Sequence, residues 1–208
     1  RQAEVEALLG NRHRVLRVSD LSRGYCNSVH LVAVEGEKIG VDRLRVERGC
    51  GERLLVAKLY SSLSTLRVPS EVRGVPDYLA AANALAPQVV LSTDTGIVHE
   101  YLEGRVLGED DVHQDNNNDL ILAAAARLAA LHSLPIRPPL TEAPLVWTWM
   151  EVMLRAASAG DARAIARVDY TTFDELLAEV EYLRSALSAV GAPVVFAHGD
   201  CKPANLML

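Results

Sequence analysis

Residues 194–208 read VVFAHGDCKPANLML, and this stretch decides which fold the sequence predicts. Four apolar residues at 194–197 predict a short buried strand, and an apolar run resumes at Leu206. The polar loop between them carries His198, Asp200 and Asn205. We therefore expect two buried strands to hold one polar loop that presents an Asp and an Asn.

The pairing of Asp200 with Asn205 is typical of phosphoryl transfer. In loops of this kind the Asp accepts the proton of the attacked hydroxyl, and the Asn holds a magnesium ion. A carboxylate orients and deprotonates a hydroxyl, whereas an amide oxygen ligates Mg²⁺ without adding negative charge beside the phosphates. The alternative is a turn in which both side chains only cap backbone groups, and the apolar residues on both sides favour the catalytic interpretation.

A second candidate is a lysine inside an apolar strand. The run LLVAKLY, residues 54–60, alternates so that Lys58 shares one face with Val56 and Tyr60. A lysine in this position can reach the α- and β-phosphates of a nucleotide when a helix carboxylate orients it. Glu71 is the nearest candidate for that carboxylate, and the competing interpretation is an edge-strand lysine that opposes aggregation.

The first predicted turn is a third candidate. It reads SRGYCNS at residues 22–28 and ends in Asn27 and Ser28, so its backbone N–H groups are suited to lie over phosphates. The patterns GxGxxG and GxxxxGK[ST] do not occur in the sequence, so neither a Rossmann site nor a P-loop is predicted. The histidines at 99, 113 and 132 show no metal-ligand spacing, and we interpret them as ordinary surface or core residues.

The order of the predicted elements divides the chain into two lobes. We expect strands at 14–18, 29–34, 54–60, 88–91, 96–101 and 194–197, a solvated loop at 35–53, and helices at 76–85, 118–132 (with Asn118 as N-cap), 147–158 and 173–190. The expected fold class is α+β, with residues 102–111 as the linker. Residues 1–101 would form an antiparallel sheet lobe with one helix, and residues 102–208 a mainly helical lobe.

The charge and the cysteine content of the sequence exclude several classes of partner and site. Lys and Arg number 21 against 27 Asp and Glu, a net charge of −6, which lacks the basic footprint of a nucleic-acid-binding protein. Cys26, Cys50 and Cys201 form no CxxC pair, so we expect no zinc site or disulfide framework, and a reducing cytoplasm as the compartment. The longest apolar stretch, residues 120–131, is too short for a membrane span.

With these residues in place, the chain resembles the choline/ethanolamine kinase family of the protein-kinase-like superfamily, and its ethanolamine kinases most. The resemblance runs from about residue 21 to residue 208. Residues 54–60 resemble the family's third strand, residues 84–107 its hairpin and lobe connection, and residues 183–208 its catalytic segment. The similarity implies a small-molecule kinase that uses ATP and Mg²⁺ to phosphorylate the hydroxyl of an amino alcohol.

The resemblance also implies roles for individual residues. Asp200 matches the catalytic base and Asn205 the magnesium ligand. The residues expected to bind the nucleotide are Asn27 and Ser28 in the first turn, Lys58 with Glu71 as its partner, and Glu100, Tyr101 and Leu102 in the hinge that meets adenine.

Two departures from the family pattern leave the acceptor open. Gly199 stands where choline and ethanolamine kinases usually carry Asn, a form closer to aminoglycoside phosphotransferases, so choline and aminoglycosides remain alternatives to ethanolamine. The family's second acidic magnesium motif is not found in the sequence, which starts at Arg1 and stops within an LML run. We expect both ends to be cut from a longer chain and the 208 residues alone to be inactive.

A non-catalytic kinase-like binding module would explain the same missing motif without truncation. The joint presence of Lys58, Asp200 and Asn205 favours an enzyme, because a degenerate site has no reason to keep all three. A homodimeric state is left open by the sequence.

Overall fold

Five strands form one antiparallel sheet in the computed structural model, which describes residues 2–23, 27–42, 45–113, 118–140, 143–159 and 172–208. The strands are β1 (Val15–Arg23), β2 (Asn27–Asp42), β3 (Arg45–Tyr60), β4 (Val89–Ser92) and β5 (Gly96–Glu100). Their order across the sheet is β1-β2-β3-β5-β4, so β3 lies in the middle and pairs with β2 and β5. The predicted strands before residue 102 are confirmed.

The glycine-rich stretch at 35–53 is part of a β-ribbon, and the prediction of a solvated loop there is wrong. Antiparallel pairing of β2 with β3 continues without a break to Asp42 and Arg45. Gly36 lies opposite Gly51, and a Cβ atom added at Gly36 would come within 2.9 Å of the Cβ of Arg53. The glycine therefore permits close approach of the two strands. A glycine-rich composition is found both in loops and in closely paired strands, so composition alone does not distinguish them.

Seven helices belong to the described residues. They are α1 (Gln2–Leu9), α2 (Ser62–Arg67), α3 (Val75–Ala82), α4 (Glu109–His113), α5 (Asn118–His132), α6 (Leu145–Ser158) and α7 (Phe173–Val190), with 3-10 turns at Gly10–Arg12, Ser70–Val72 and Pro203–Asn205. Three of these helices accompany the sheet, so the prediction of one helix there is wrong. The four predicted helices are confirmed, and no helix of the described part is long and apolar enough to cross a membrane.

The main core lies between α1 and one face of the sheet. Leu9 is only 1% exposed and packs in a cluster with Val5, Val32 and Leu55. Because side chains alternate along a strand, the residues of β3 that do not face α1 point to the opposite face, and Lys58 is among them. Helix α1 thus fixes which side of the sheet remains for a ligand.

The connection into the polar loop differs from the sequence prediction. Thr172 and Glu175 form a capping box at the start of α7, and Gly191 ends that helix with φ of +67°. Residues 194–197 then continue without a strand partner among the described residues, and Val194 is 39% exposed, so the predicted buried strand is wrong. A strand needs a neighbour, which an apolar run cannot supply by itself.

The end of the polar loop pairs instead with the segment 102–111 that follows β5, called the connector below. Met207 forms a β-bridge with Val106, the N–H of Leu107 donates to the carbonyl of Leu206, and the N–H of Leu208 donates to the carbonyl of Arg105. This ladder ties the loop to the segment that follows β5.

Removal of the Leu9 side chain should unfold the sheet lobe more easily. Leu9→Ala leaves a cavity between α1 and the sheet, and we expect a loss of about 2–5 kcal/mol in the free energy of unfolding. Urea unfolding followed by circular dichroism measures the change. Leu122→Ala, on the exposed side of α5, should stay within about 0.5 kcal/mol of the wild type, and equal losses in the two variants would show that α1 is not part of the core.

Candidate functional site

A cavity of about 240 Å³ opens against the face of the sheet that carries Lys58. Asn27 and Tyr60 belong to the same wall, Asp77 at the start of α3 forms a second wall, and Trp149 of α6 a third. The cavity therefore lies between the sheet lobe and the helical lobe. The structure brings two of the predicted nucleotide-binding residues, Asn27 and Lys58, to one place.

Three cationic side chains line this cavity, and two of them have other partners. Arg73 donates hydrogen bonds to the carbonyl oxygens of Val68 and Asp94, and the guanidinium of Arg67 lies 5.8 Å from the ring centroid of Trp149. Lys58 has no hydrogen-bond or ion-pair partner within the described ranges. Its ammonium group is therefore the cation that a ligand in the cavity can bind without breaking an existing contact.

A carboxylate and two other titratable side chains lie on the side of the sheet that carries Lys58. Oδ1 of Asp77 lies 3.6 Å from Nε2 of His99, whose side chain is 14% exposed. Burial lowers the pKa of His99 below its usual value, and the carboxylate of Asp77 works in the opposite direction. Burial, with a further contribution from Asp77, raises the pKa of Tyr60 to about 12.

The structure does not bring Glu71 to Lys58. Glu71 lies in the 3-10 turn Ser70–Val72, is exposed and is absent from the cavity lining. The acidic side chain that lines the cavity together with Lys58 is Asp77, in the first turn of α3. Sequence reasoning missed it, although Pro76 in the first turn of α3 followed by an acidic residue is a usual helix-start pattern.

The remaining nucleotide-binding predictions fall at the ends of strands, near the start of β2 and at the end of β5. Ser28, in β2, pairs with Leu59 of β3 and does not line the cavity. Residues 24–26 of the predicted turn lie outside the described residues. In the predicted hinge, the side chain of Glu100 accepts a hydrogen bond from Arg53 at 2.7 Å, and Leu102 is exposed. Tyr101 follows the end of β5, with its N–H directed to the carbonyl of Leu54.

The polar loop brings Asp200 and Asn205 into direct contact. Nδ2 of Asn205 donates to the backbone carbonyl of Asp200 at 2.7 Å and to its Oδ2 at 2.9 Å. Nζ of Lys202 lies 3.0 Å from the same Oδ2. Both donors meet one carboxylate oxygen, so the other oxygen, Oδ1, is left for a ligand.

These contacts set the charge of Asp200. The hydrogen bond from Lys202, and then that from Asn205, lower the pKa of the carboxyl below its usual value. The Asp200 side chain is 64% exposed, so it is an ionised and accessible acceptor at neutral pH. Lys202 was missed by sequence reasoning, although a lysine two residues after the Asp was visible in the loop.

The amide of Asn205 also has one end left for a ligand. Its nitrogen makes both hydrogen bonds to Asp200, which directs the amide oxygen away from that residue. No group of three or more His, Cys, Asp or Glu side chains able to hold a metal occurs in the described part of the chain. Any metal here would therefore take only one or two protein ligands, which is the usual arrangement for magnesium bound with phosphates.

The connector holds this loop in a defined position after β5. Arg105 donates to both carboxylate oxygens of Asp111, at 2.6 and 2.7 Å, and the N–H of Gly108 donates to one of them. The Arg105 hydrogen bond is the main cause that lowers the pKa of Asp111 to about 2. The bidentate pair therefore joins two parts of the connector. It lies next to the backbone hydrogen bonds that link the connector to residues 206–208.

Comparison with known proteins identifies the family of the chain. The profile described as the phosphotransferase enzyme family matches residues 37–208. Ethanolamine kinase 2 of Mus musculus is 23% identical over 153 residues, which is 74% of this chain and 38% of that protein. The choline/ethanolamine kinase of Rattus norvegicus is 27% identical over 134 residues, which is 62% of this chain and 32% of that protein.

Solved structures show the same fold. Ethanolamine kinase of Plasmodium vivax superposes with a TM-score of 0.62 at 16% identity, covering 92% of this chain and 52% of the other. Choline kinase of Cryptosporidium parvum superposes with a TM-score of 0.55 at 15% identity, covering 92% and 54%. The chain thus spans a little over half of these structures and about 38% of the ethanolamine kinases that it matches.

Replacement of Asp77 should be visible in the titration of His99. Asp77→Asn removes the negative charge that holds the pKa of His99 up, so that pKa should fall further below the ordinary value. Titration of the imidazole proton resonances by NMR measures it, with His99→Gln used to assign the signal. Glu71→Gln is the matched comparison, and a shift in that variant as large as in Asp77→Asn would contradict the placement of the two carboxylates.

Proposed function

Since the chain belongs to the phosphotransferase enzyme family, we propose that the whole protein is an ATP-dependent kinase that phosphorylates the hydroxyl of ethanolamine. The observation that carries the proposal is the polar loop, in which Lys202 and Asn205 hold one oxygen of Asp200 and leave the other for an acceptor. The kinases that the chain resembles in sequence are named for ethanolamine and choline.

The nucleotide would bind between the sheet and the hinge. Lys58 would meet the α- and β-phosphates, because its ammonium has no partner in the described part of the chain and lines the cavity between the lobes. Asn27, on the same wall, offers polar atoms to the phosphates. Backbone groups of Glu100, Tyr101 and Leu102, which follow β5, would meet the base.

Asp200 would act on the acceptor hydroxyl. Oδ1 accepts its hydrogen bond and directs the oxygen towards the γ-phosphorus, while Oδ2 stays held by Lys202 and Asn205. A carboxyl group with a lowered pKa is a weak proton acceptor. Because the transition state of phosphoryl transfer is loose, the proton moves late, and orientation of the hydroxyl is the larger contribution.

The donor set fits one position of a magnesium ion. The amide oxygen of Asn205 is a hard, neutral ligand that is left over after both of its N–H groups are used. When bound, the ion would neutralise charge on the phosphates that Lys58 does not reach.

The choice of ethanolamine over the alternatives rests on the relatives and not on Gly199. Residue 199 has φ of +75°, a left-handed conformation that Gly and Asn occupy more readily than other residues. The Gly found here and the Asn usual in choline and ethanolamine kinases therefore satisfy the same backbone requirement. Choline and aminoglycosides remain the alternative acceptors, and a non-catalytic binding module remains the alternative to an enzyme.

Asp200→Asn should remove turnover while leaving the nucleotide bound. The amide keeps the shape of the side chain but cannot accept the hydroxyl proton, so we expect kcat in the full-length protein to fall by at least about 100-fold. Steady-state kinetics, with KM for ATP as the internal control, measure the effect. Turnover equal to that of the wild type would remove Asp200 from this role.

The acceptor is tested by direct competition. We expect kcat/KM of the full-length protein to be highest for ethanolamine when ethanolamine, choline and an aminoglycoside are assayed side by side with MgATP. A higher value for choline or the aminoglycoside would replace the proposed acceptor. Absence of turnover with all three, in a folded protein that binds ATP, would favour the binding module.

A further inference from the structure

The cavity lies at the phosphate end of the nucleotide site proposed above. β5 ends at Glu100, which pairs with Leu55 of β3, and the hinge follows at that point. The cavity meets β3 at Lys58 and Tyr60, about 10 Å or more further along the strand, and the hinge residues 100–102 are not part of its lining. A side chain in this cavity would therefore face the phosphates of a bound nucleotide and not its base.

Arg67 is the second cation that this cavity offers to the phosphates. The triphosphate of ATP carries more negative charge than Lys58 and one magnesium ion neutralise, and the other cations of the lining are Arg67 and Arg73. The guanidinium of Arg73 is used by the backbone, because it donates to the carbonyl oxygens of Thr65 and Val68 at 3.1 and 2.7 Å. The half-buried side chain of Arg67 makes a different kind of contact.

Two elements hold Arg67 at the cavity. It is the last residue of α2, and the hydrogen bonds of Arg73 to the carbonyls of Thr65 and Val68, on either side of Arg67, fix the end of that helix. Cζ of Arg67 lies over the ring of Trp149 on α6, at 5.8 Å from its centroid, which is within cation–π range. Because α2 follows the sheet and α6 belongs to the helical lobe, the helical lobe orients a cation of the sheet lobe.

A guanidinium that stacks on a ring can still bind a phosphate. The ring contacts the face of the guanidinium, whereas the N–H donors lie in the plane of the group and match phosphate oxygens in pairs. The contact with Trp149 and a hydrogen bond to a phosphate therefore use different parts of Arg67 and can exist together. Stacking also restricts the rotamers of a long side chain, so less conformational entropy is lost when the anion binds.

We propose that Arg67 is a second phosphate-binding residue of the nucleotide site, and that Trp149 is a positioning residue that holds its guanidinium at the cavity. The proposal rests on the function proposed above. It makes the phosphate site depend on both lobes, because Lys58 and Arg67 come from the sheet lobe and Trp149 from the helical lobe.

The first test compares ATP with adenosine in full-length Arg67→Ala. Loss of a charge-assisted contact should raise KM for ATP about 10- to 100-fold at saturating acceptor. The inhibition constant of adenosine, measured as a competitor of ATP, should stay near the wild-type value, because adenosine has no phosphate. Equal weakening of ATP and adenosine would show a structural role and overturn the proposal. Arg67→Gln, which removes the charge but keeps a long polar side chain, replaces Arg67→Ala if that variant does not fold.

The second test separates the role of Trp149 from that of Arg67. Trp149→Leu should raise KM for ATP about three- to tenfold, the size of a cation–π contact, and Trp149→Phe, which keeps an aromatic face, should lie closer to the wild type. Since Trp149 acts through Arg67, the double variant Trp149→Leu with Arg67→Ala should be no worse than Arg67→Ala alone. Losses that multiply in the double variant would overturn the positioning role.

Trp147 provides a matched control on the same helix. The guanidinium of Arg184, on α7, lies 5.5 Å from the ring centroid of Trp147, so the same kind of contact is made within the helical lobe, and neither residue lines the cavity. Trp147→Leu should therefore keep the wild-type KM for ATP. An increase as large as in Trp149→Leu would show that loss of either tryptophan of α6 disturbs the site, and would overturn the positioning role.

Lys58→Ala distinguishes failure of this inference from failure of the proposed function. If Lys58→Ala raises KM for ATP and Arg67→Ala does not, the role of Arg67 is overturned and the nucleotide site stands. If neither variant changes the kinetics with ATP, the nucleotide site as proposed is wrong, and this inference is overturned with it.

Discussion

The alternation of side chains along β3 is the constraint on which the rest of the molecule depends. Because β3 pairs with β2 on one side and β5 on the other, its backbone hydrogen bonds are satisfied and its register is fixed. Leu55 and Ala57 then face α1 in the core, and Lys58 is directed to the opposite face. A register slip of one residue would bury the lysine under α1 and expose the leucine. The same strand register therefore determines both the packing of the core and the position of Lys58.

A second constraint relates the polar loop to that sheet. The ladder between the connector and residues 206–208 fixes the end of the loop, and the bidentate pair of Arg105 and Asp111 shapes the connector itself. The connector continues directly from β5. The position of Asp200 is thereby determined by backbone hydrogen bonds to the segment after the sheet, although residues 194–197 on the other side of the loop make no such bonds.

Those parts of the fold that depend on local pattern could be predicted from the sequence. The helical periodicity of α5 and α7 and the strand alternation in β3 follow from neighbours in the chain, and the presence of Asp200 and Asn205 on one polar loop follows from their closeness in the sequence. The ribbon at 35–53 could not, since glycine serves loops and closely paired strands alike. The acidic residue of the cavity could not either, because only the tertiary placement of α3 decides that Asp77 and not Glu71 lines the cavity with Lys58.

The polar residues on the side of the sheet opposite α1 are difficult to explain by their contribution to the stability of the fold. A half-buried lysine that has no partner among the residues the structure describes, and a largely buried histidine with a lowered pKa, both cost free energy of folding, which an apolar pair at these positions would avoid. The opposite face of the same strand shows that the sheet can pack with apolar residues alone. Clusters of this kind are found where a protein binds a charged ligand, because the groups that are unsatisfied in its absence become satisfied when it binds. For the cavity between the lobes, the positive charge of Lys58 is consistent with the anionic nucleotide proposed above.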